Sequence, residues 1–174
     1  GLKPTADLQA IYERHAAILG EDALALVREE FRGAAPGSDA HRSARLMLEW
    51  LTDSVAGRAL AALDEREIEW EGSAIVRLED GREIPYQRAS IDIGNASNPD
   101  ERMLLERARA RVVEAELAPL RRERFQREKE LIEGMEIAPT FNATFEALSG
   151  VDLAGLVGEC ERFLRDTLVT RASV

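Results

Sequence analysis

The sequence predicts a mainly α fold: a helical bundle of about five or six helices, one of them long and kinked, with one small β-hairpin. Three observations carry this. Ala, Leu, Arg and Glu dominate the chain, and all four favour helices. Apolar residues recur three and four positions apart over most of its length, the spacing that builds one buried face on a helix. Only one stretch, around Asp80-Gly81, is rich in β-branched and aromatic residues on both sides of a turn dipeptide.

Taken in order, Pro4-Thr5 is expected to open a first helix, with Leu8, Ile11, Tyr12, His15, Ile18 and Leu19 at helical spacing. Gly20 marks its end or a bend. A second helix, 21–31, places Leu24, Val27 and Phe31 on one stripe. The glycines at 33 and 37 with Pro36 make a loop, after which Ser38 or Asp39 caps a third helix. Its expected stripe is Leu46, Met47, Trp50, Leu51, Val55, Leu60 and Leu63, and Gly57 weakens it without ending it.

After Asp64 the residues change character, through Ile68, Trp70, Ile75, Val76, Leu78, Ile84 and Tyr86. The hairpin is placed at about 73–86, with strands near 73–79 and 82–86. Its Asp80-Gly81 turn would take positive φ at both central residues. Pro85 has no N–H to donate, which makes its strand an edge. The stretch 87–97 reads as extended or looped.

The longest helix, about 99–133, opens with Asn98 as cap, Pro99 as first residue and Asp100 and Glu101 at the positive end. Leu104, Leu105, Ala108, Val112, Ala115 and Leu120 form its apolar side. Pro119 should kink it, and Gly134 should stop it. A short helix, 139–148, ends at Ser149-Gly150. Asp152 caps a last helix, whose buried stripe is read as Leu153, Leu156, Val157, Cys160, Phe163 and Leu164. Core positions are expected at Trp50, Leu51, Leu105, Val112, Leu156 and Phe163. The 174 residues are read as a single helical domain.

Charge narrows the function classes. The formal net charge is -10, which argues against nucleic acid and anionic membranes as partners, because both demand a basic footprint. The long helix holds nine basic and nine acidic residues between Asn98 and Glu133, so the acidic excess lies elsewhere. Within it, Arg102–Glu106, Glu123–Arg127 and Arg124–Glu128 stand four apart, the spacing of helix-face ion pairs. No apolar run reaches the length of a membrane span, and the start does not resemble a signal peptide, so a cytoplasmic chain is expected.

No catalytic or metal-binding motif is complete. A zinc helix needs two histidines four apart with a glutamate beside the first, whereas His15 and His41 stand alone. Cys160, between Glu159 and Glu161 on an apolar stripe, is read as a structural core cysteine. The acidic run Asp64, Glu65, Glu67, Glu69 and Glu71 reads as a solvated segment, and the cluster Arg121, Arg122, Arg124, Arg127 and Lys129 as a salt-bridged helix face. Catalytic residues, metal ligands and cofactors are therefore assigned to none of the positions in this chain.

Three segments carry a family resemblance. EDGREIPYQRASIDIG (79–94) is followed by NASNPDERMLLERARARVVEAELAPLRRERFQRE (95–128), and then by FEALSGVDLAGLVGECERFL (145–164), with its Leu148-Ser149-Gly150-Val151-Asp152-Leu153 turn. The succession resembles the N-terminal region of peptidases of the oligoendopeptidase F and thimet oligopeptidase family. The resemblance implies an all-helical parent that cleaves short peptides in a deep channel, with this region as one wall. Its zinc would be bound by a His-Glu-x-x-His helix and a downstream glutamate, none of which has a counterpart here.

Two functions follow as expectations. One is a non-catalytic channel wall, whose partners would be a peptide substrate or the catalytic remainder of a longer protein. On that reading the hairpin edge would pair with an extended peptide, with Tyr86 and Gln87 as the substrate-binding residues. The apolar Leu168-Val169-Thr170 near the C-terminus agrees with a chain that continues. The other is a stand-alone helical interaction or scaffold module, possible as a homodimer built on the long helix.

Overall fold

A computed structural model describes residues 7–16 and 18–171. The fold is mainly α, as its sequence predicts, with one two-stranded antiparallel sheet. In chain order the elements are α1 (Leu8–Arg14), α2 (Glu21–Gly33), α3 (Asp39–Ser73), β1 (Ile75–Arg77), β2 (Glu83–Pro85), α4 (Tyr86–Asn95) and α5 (Pro99–Val112). A π-turn (Val113–Leu117), α6 (Ala118–Gly134), α7 (Phe141–Ser149) and α8 (Leu153–Arg171) follow. α5, the π-turn and α6 form one continuous helix, because Val112, Val113 and Ala118 all keep right-handed helical backbone. The predicted opening at Pro4-Thr5 lies outside the described residues.

The chain groups into two units. One holds residues 1–19 and 55–128, the other 20–54 and 129–174. In the first, Val76, Leu78, Tyr86, Ala89, Ala96, Leu105, Ala108 and Leu117 form a buried apolar cluster, with Trp70, Ile84, Ile93 and Val113 packed against it. In the second, the buried side chains are Leu24, Leu48, Leu51, Thr52, Met135, Thr144 and Leu148.

Caps fall where the sequence put them. Asn98 Oδ1 accepts from Asp100 N at 2.9 Å, Ser38 Oγ from His41 N at 3.1 Å, and Asp152 Oδ1 from Gly155 N at 3.0 Å. α6 stops at Gly134, and Gly150 takes the left-handed backbone (φ 74°) that closes α7. In the second unit, charged side chains close helix ends as well. Arg28 and Arg32 donate to the Met135 and Glu136 carbonyls just past α6, at 2.6 and 2.5 Å, and Arg45 donates to the Leu148 carbonyl in α7. Glu133 accepts from Phe141 N at the start of α7, and Glu146 from Leu153 N at the start of α8. Each places its charge at the helix end of opposite sign.

The long helix solves its proline by widening. Pro119 supplies no N–H to the Ala115 carbonyl and its ring crowds that carbonyl. The chain inserts one extra residue over 113–117, so that Ala118 N donates to Val113 O. That extra residue advances the face. Ala115, expected on the apolar side, is exposed, whereas Leu117 is fully buried and Leu120 follows.

Several other expectations are corrected. Residues 86–95 are helical rather than extended. Tyr86 and Ala89 are buried on one face and Ile93 packs beside them, so the periodic core contacts override the β-branched composition. α3 continues to Ser73, well past Asp64, with Ile68 and Trp70 inside it. Its buried face is Leu48, Leu51, Thr52, Ala56, Leu60 and Ala61, one position round from the expected stripe, and Trp50 is 49% exposed. Gly57 in α3 gives room to Tyr12, since a Cβ there would lie 2.5 Å from the tyrosine hydroxyl.

The hairpin pairs Ile75 with Pro85, Val76 with Ile84 and Arg77 with Glu83. Its loop has three residues, not two. Gly81 N donates to Leu78 O (3.1 Å), Leu78 N donates to Arg82 O (2.9 Å), and Gly81 alone takes positive φ (87°). Asp80 therefore stays on the ordinary side of the backbone map, and its carboxylate accepts from the Arg82 N–H at 3.0 Å.

The largest correction concerns α8. Leu156, Val157, Phe163 and Leu164 are more than half exposed and Leu153 is half-buried, so the expected buried stripe faces solvent. Cys160 lies on it and is exposed, not a core cysteine. Val112 is only half-buried, which leaves Leu51 and Leu105 as the core positions correctly expected.

Candidate functional site

The acidic run and the basic cluster meet each other. Within the first unit, Asp64, Glu67 and Glu71 lie at i, i+3 and i+7, one face of α3. Arg121 of α6 donates Nε to Glu67 at 2.7 Å and Nη2 to Glu71 at 3.1 Å. Arg124 donates Nε to Asp64 at 2.5 Å and Nη1 to Glu128 at 2.9 Å, the last an expected four-apart pair. Arg66 reaches Glu123 at 3.5 Å. The hydrogen bond to Glu67 holds the Arg121 guanidinium above its usual range, and the bond to Asp64 does the same for Arg124. Asp64, Glu67 and Glu71 of the acidic run are thus rungs of a ladder, while Glu65 accepts from the Gln9 N–H at 3.2 Å and Glu69 is exposed.

Beside the ladder, four side chains from three helices and the π-turn interlock. The Trp70 and Tyr86 rings meet edge to face, 4.8 Å between centroids at 61°. The Arg109 guanidinium lies over the Tyr86 ring at 4.9 Å and its Nη2 donates to the Tyr86 hydroxyl at 2.9 Å. Trp70 Nε1 donates to Glu116 in the π-turn at 2.8 Å. Tyr86, proposed from sequence as a peptide contact, is 8% exposed and its ring and hydroxyl are both taken up here. Gln87, the next residue, is exposed. Nothing in local sequence spacing announces this cluster, since its members join across the fold at separations of 23 and 46 residues.

A shallow groove runs along the long helix at the π-turn. One part, about 510 Å³, is lined by Ile93, Glu106, Arg109, Val113, Glu114 and Ala118. The next, about 630 Å³, shares Val113 and Ala118 and continues to Arg121, Arg122 and Phe125. Its floor is apolar; one end carries the Glu106 and Glu114 carboxylates with the Arg109 guanidinium, which Tyr86 engages, and the other carries the Arg121 and Arg122 guanidinium groups.

The hairpin presents one usable edge. The Tyr86 N to Ala74 O and Leu78 N to Arg82 O bonds fix the register, and in an antiparallel ladder alternate residues then face the partner strand. Ile75 and Arg77 therefore aim their N–H groups away from β2. On β2, Pro85 has none to offer. Arg82 bridges Asp80 (2.7 Å) and Glu101 (3.2 Å), and Arg111 pairs with Glu79, which fastens the loop to α5. These bonds lower the carboxyls of Glu79 and Asp80 below the usual range: for Glu79 through the Arg111 side chain, for Asp80 through the Arg82 backbone N–H and then its side chain.

Among the described residues, no group of three His, Cys, Asp or Glu side chains is arranged to hold a metal ion. His15 is exposed, against its expected packing on the apolar stripe, and His41 stacks on Phe31 with 4.7 Å between ring centroids. No helix among the described residues is long and apolar enough to cross a membrane. No family model, curated protein or solved structure matches the chain, so the oligopeptidase resemblance rests on the three quoted segments.

Proposed function

We propose that this chain is a helical protein-interaction module that docks another polypeptide through α8. One observation carries the reading. Along α8, Leu156, Val157, Phe163, Leu164 and Leu168 are 51–66% exposed and lie within one broad stripe. A contiguous apolar stripe on a helix of this length is the form in which helices present themselves to a partner groove. Nothing resembling a nucleophile, base and oxyanion donor accompanies it among the described residues.

On the segment resemblance, the partner would be the catalytic remainder of a zinc oligopeptidase, with the zinc ligands outside this sequence. The outer edge of β1, at Ile75 and Arg77, favours a peptide-lining role within that reading, with exposed Gln87 nearby in sequence. Tyr86 would serve it only by holding the hairpin in place.

The test is the size of the native assembly in source-cell extract. Leu164→Asp should shift the protein to a smaller assembly, while Ile91→Asp, on the equally exposed α4 position, should not. An assembly unchanged by Leu164→Asp rules out docking through α8.

A further inference from the structure

The α8 stripe and the π-turn groove match each other in length, apolar character and charge. At about 1.5 Å per residue, the stripe from Leu153 to Leu168 is about 22 Å long, and the groove from Glu106 to Phe125 about 28 Å. Among the described residues, both surfaces carry charges without hydrogen-bond partners: Glu106, Glu114 and Arg122 at the groove, Glu161 and Arg165 on α8. Glu159 and Arg162 are already paired to each other at 2.7 Å, and Arg121 is engaged by Glu67 and Glu71. The open charges are ordered. Along the groove, acid precedes base, and along α8, acid again precedes base. A helix laid antiparallel to the groove therefore brings Glu161 toward Arg122 and Arg165 toward Glu114.

We infer that the occupant of the groove is α8 of a second copy of this chain, its apolar stripe over Val113 and Ala118 and its two open charges against the opposite charges of the groove. Each copy offers both surfaces, so a reciprocal exchange closes a two-fold dimer and leaves neither surface over. This rests on the α8-docking reading and names its partner. Parallel seating sets Glu161 near Glu114 and Arg165 near Arg122, which like-charge repulsion disfavours.

Sedimentation velocity over a concentration series tests it with the full chain. The chain should pass from monomer to dimer as concentration rises. Leu164→Asp should abolish the dimer. Arg122→Glu and Glu161→Arg should each weaken it about tenfold or more, and the two combined in one chain should restore most of the loss, because the pair is then reversed rather than broken. A chain monomeric throughout the series overturns the inference. So does a dimer that ignores Arg122→Glu, or a charge-swapped double variant no tighter than the single ones. If the chain is monomeric while Leu164→Asp still shrinks the cellular assembly, α8 docks a different polypeptide and only the identity of the partner is lost.

Discussion

Arg124 donates its Nε to Asp64 at 2.5 Å across 60 residues of sequence, and both side chains are less than a third exposed. This joins the C-terminal part of α3 to α6 where neither helix has a strong apolar face. Surface ion pairs contribute little, and partial burial raises that contribution modestly. A double-mutant cycle with Asp64→Asn and Arg124→Gln, read by urea denaturation, should give a coupling of about 1 kcal/mol. It should shrink in high salt. A coupling near zero would mean that the ladder side chains exchange freely with water and add nothing to stability.

Tyr86 separates two roles in one side chain. Tyr86→Phe keeps the ring against Trp70 and under Arg109 but removes the hydroxyl that accepts from Arg109, at a cost of about 1 kcal/mol. Tyr86→Ala removes the ring as well and should cost about 3–5 kcal/mol. Thermal and chemical denaturation report both. Gln87→Ala, at an exposed position, should leave stability within about 0.5 kcal/mol.

Thr144 is 1% exposed and, among the described residues, its hydroxyl has no hydrogen-bond partner. Valine keeps the branched shape and removes the unsatisfied group, whose burial costs about 1–3 kcal/mol. Thr144→Val should therefore raise the denaturation midpoint, and Thr144→Ala, which opens a cavity, should lower it. Equal losses from both variants would show that the hydroxyl is satisfied.

The hairpin loop should loosen in acid. Glu79 and Asp80 have folded-state pKa values below the usual carboxylate range, so the unfolded loop binds protons more readily than the folded one. Their stabilisation is complete above about pH 5 and is lost as pH falls through the depressed values, below about 4. Amide chemical shifts of Gly81 and Arg82 should follow this transition. Asp80→Asn should remove its Asp80 component.

What could be read from the sequence, and what could not, divides by range. Caps at Ser38, Asn98 and Asp152, stops at Gly134 and Gly150 and the place of the hairpin depend on a few neighbouring residues, and all were legible. The face of α3 was not. Leu46, Met47, Leu48, Trp50 and Leu51 crowd together, and such a run has no unique phase. α4 was missed because its helix is imposed by packing of Tyr86, Ala89 and Ile93 on distant elements. The ladder was half-visible, since both charged clusters stood out but their pairing is a long-range fact. Burial of α8 was inferred from amphipathicity, yet a stripe tells only that something apolar should cover it, not that this chain does.

The π-turn has a consequence for how this sequence can change. In a plain α-helix each residue turns the face by about 100°. If 113–117 stayed α with every residue kept, everything downstream would turn by that angle at once, and Leu117 and Leu120 would leave the core side as Arg121 and Arg124 swung away from Glu67 and Asp64. The π-turn absorbs the extra residue, so the downstream face keeps its phase. Removing one residue between 113 and 117 would let the backbone revert to α with that face in place, whereas a single-codon deletion between Ala118 and Leu120 strikes every rung together. Natural relatives should therefore tolerate a one-residue deletion within the π-turn and not just after it.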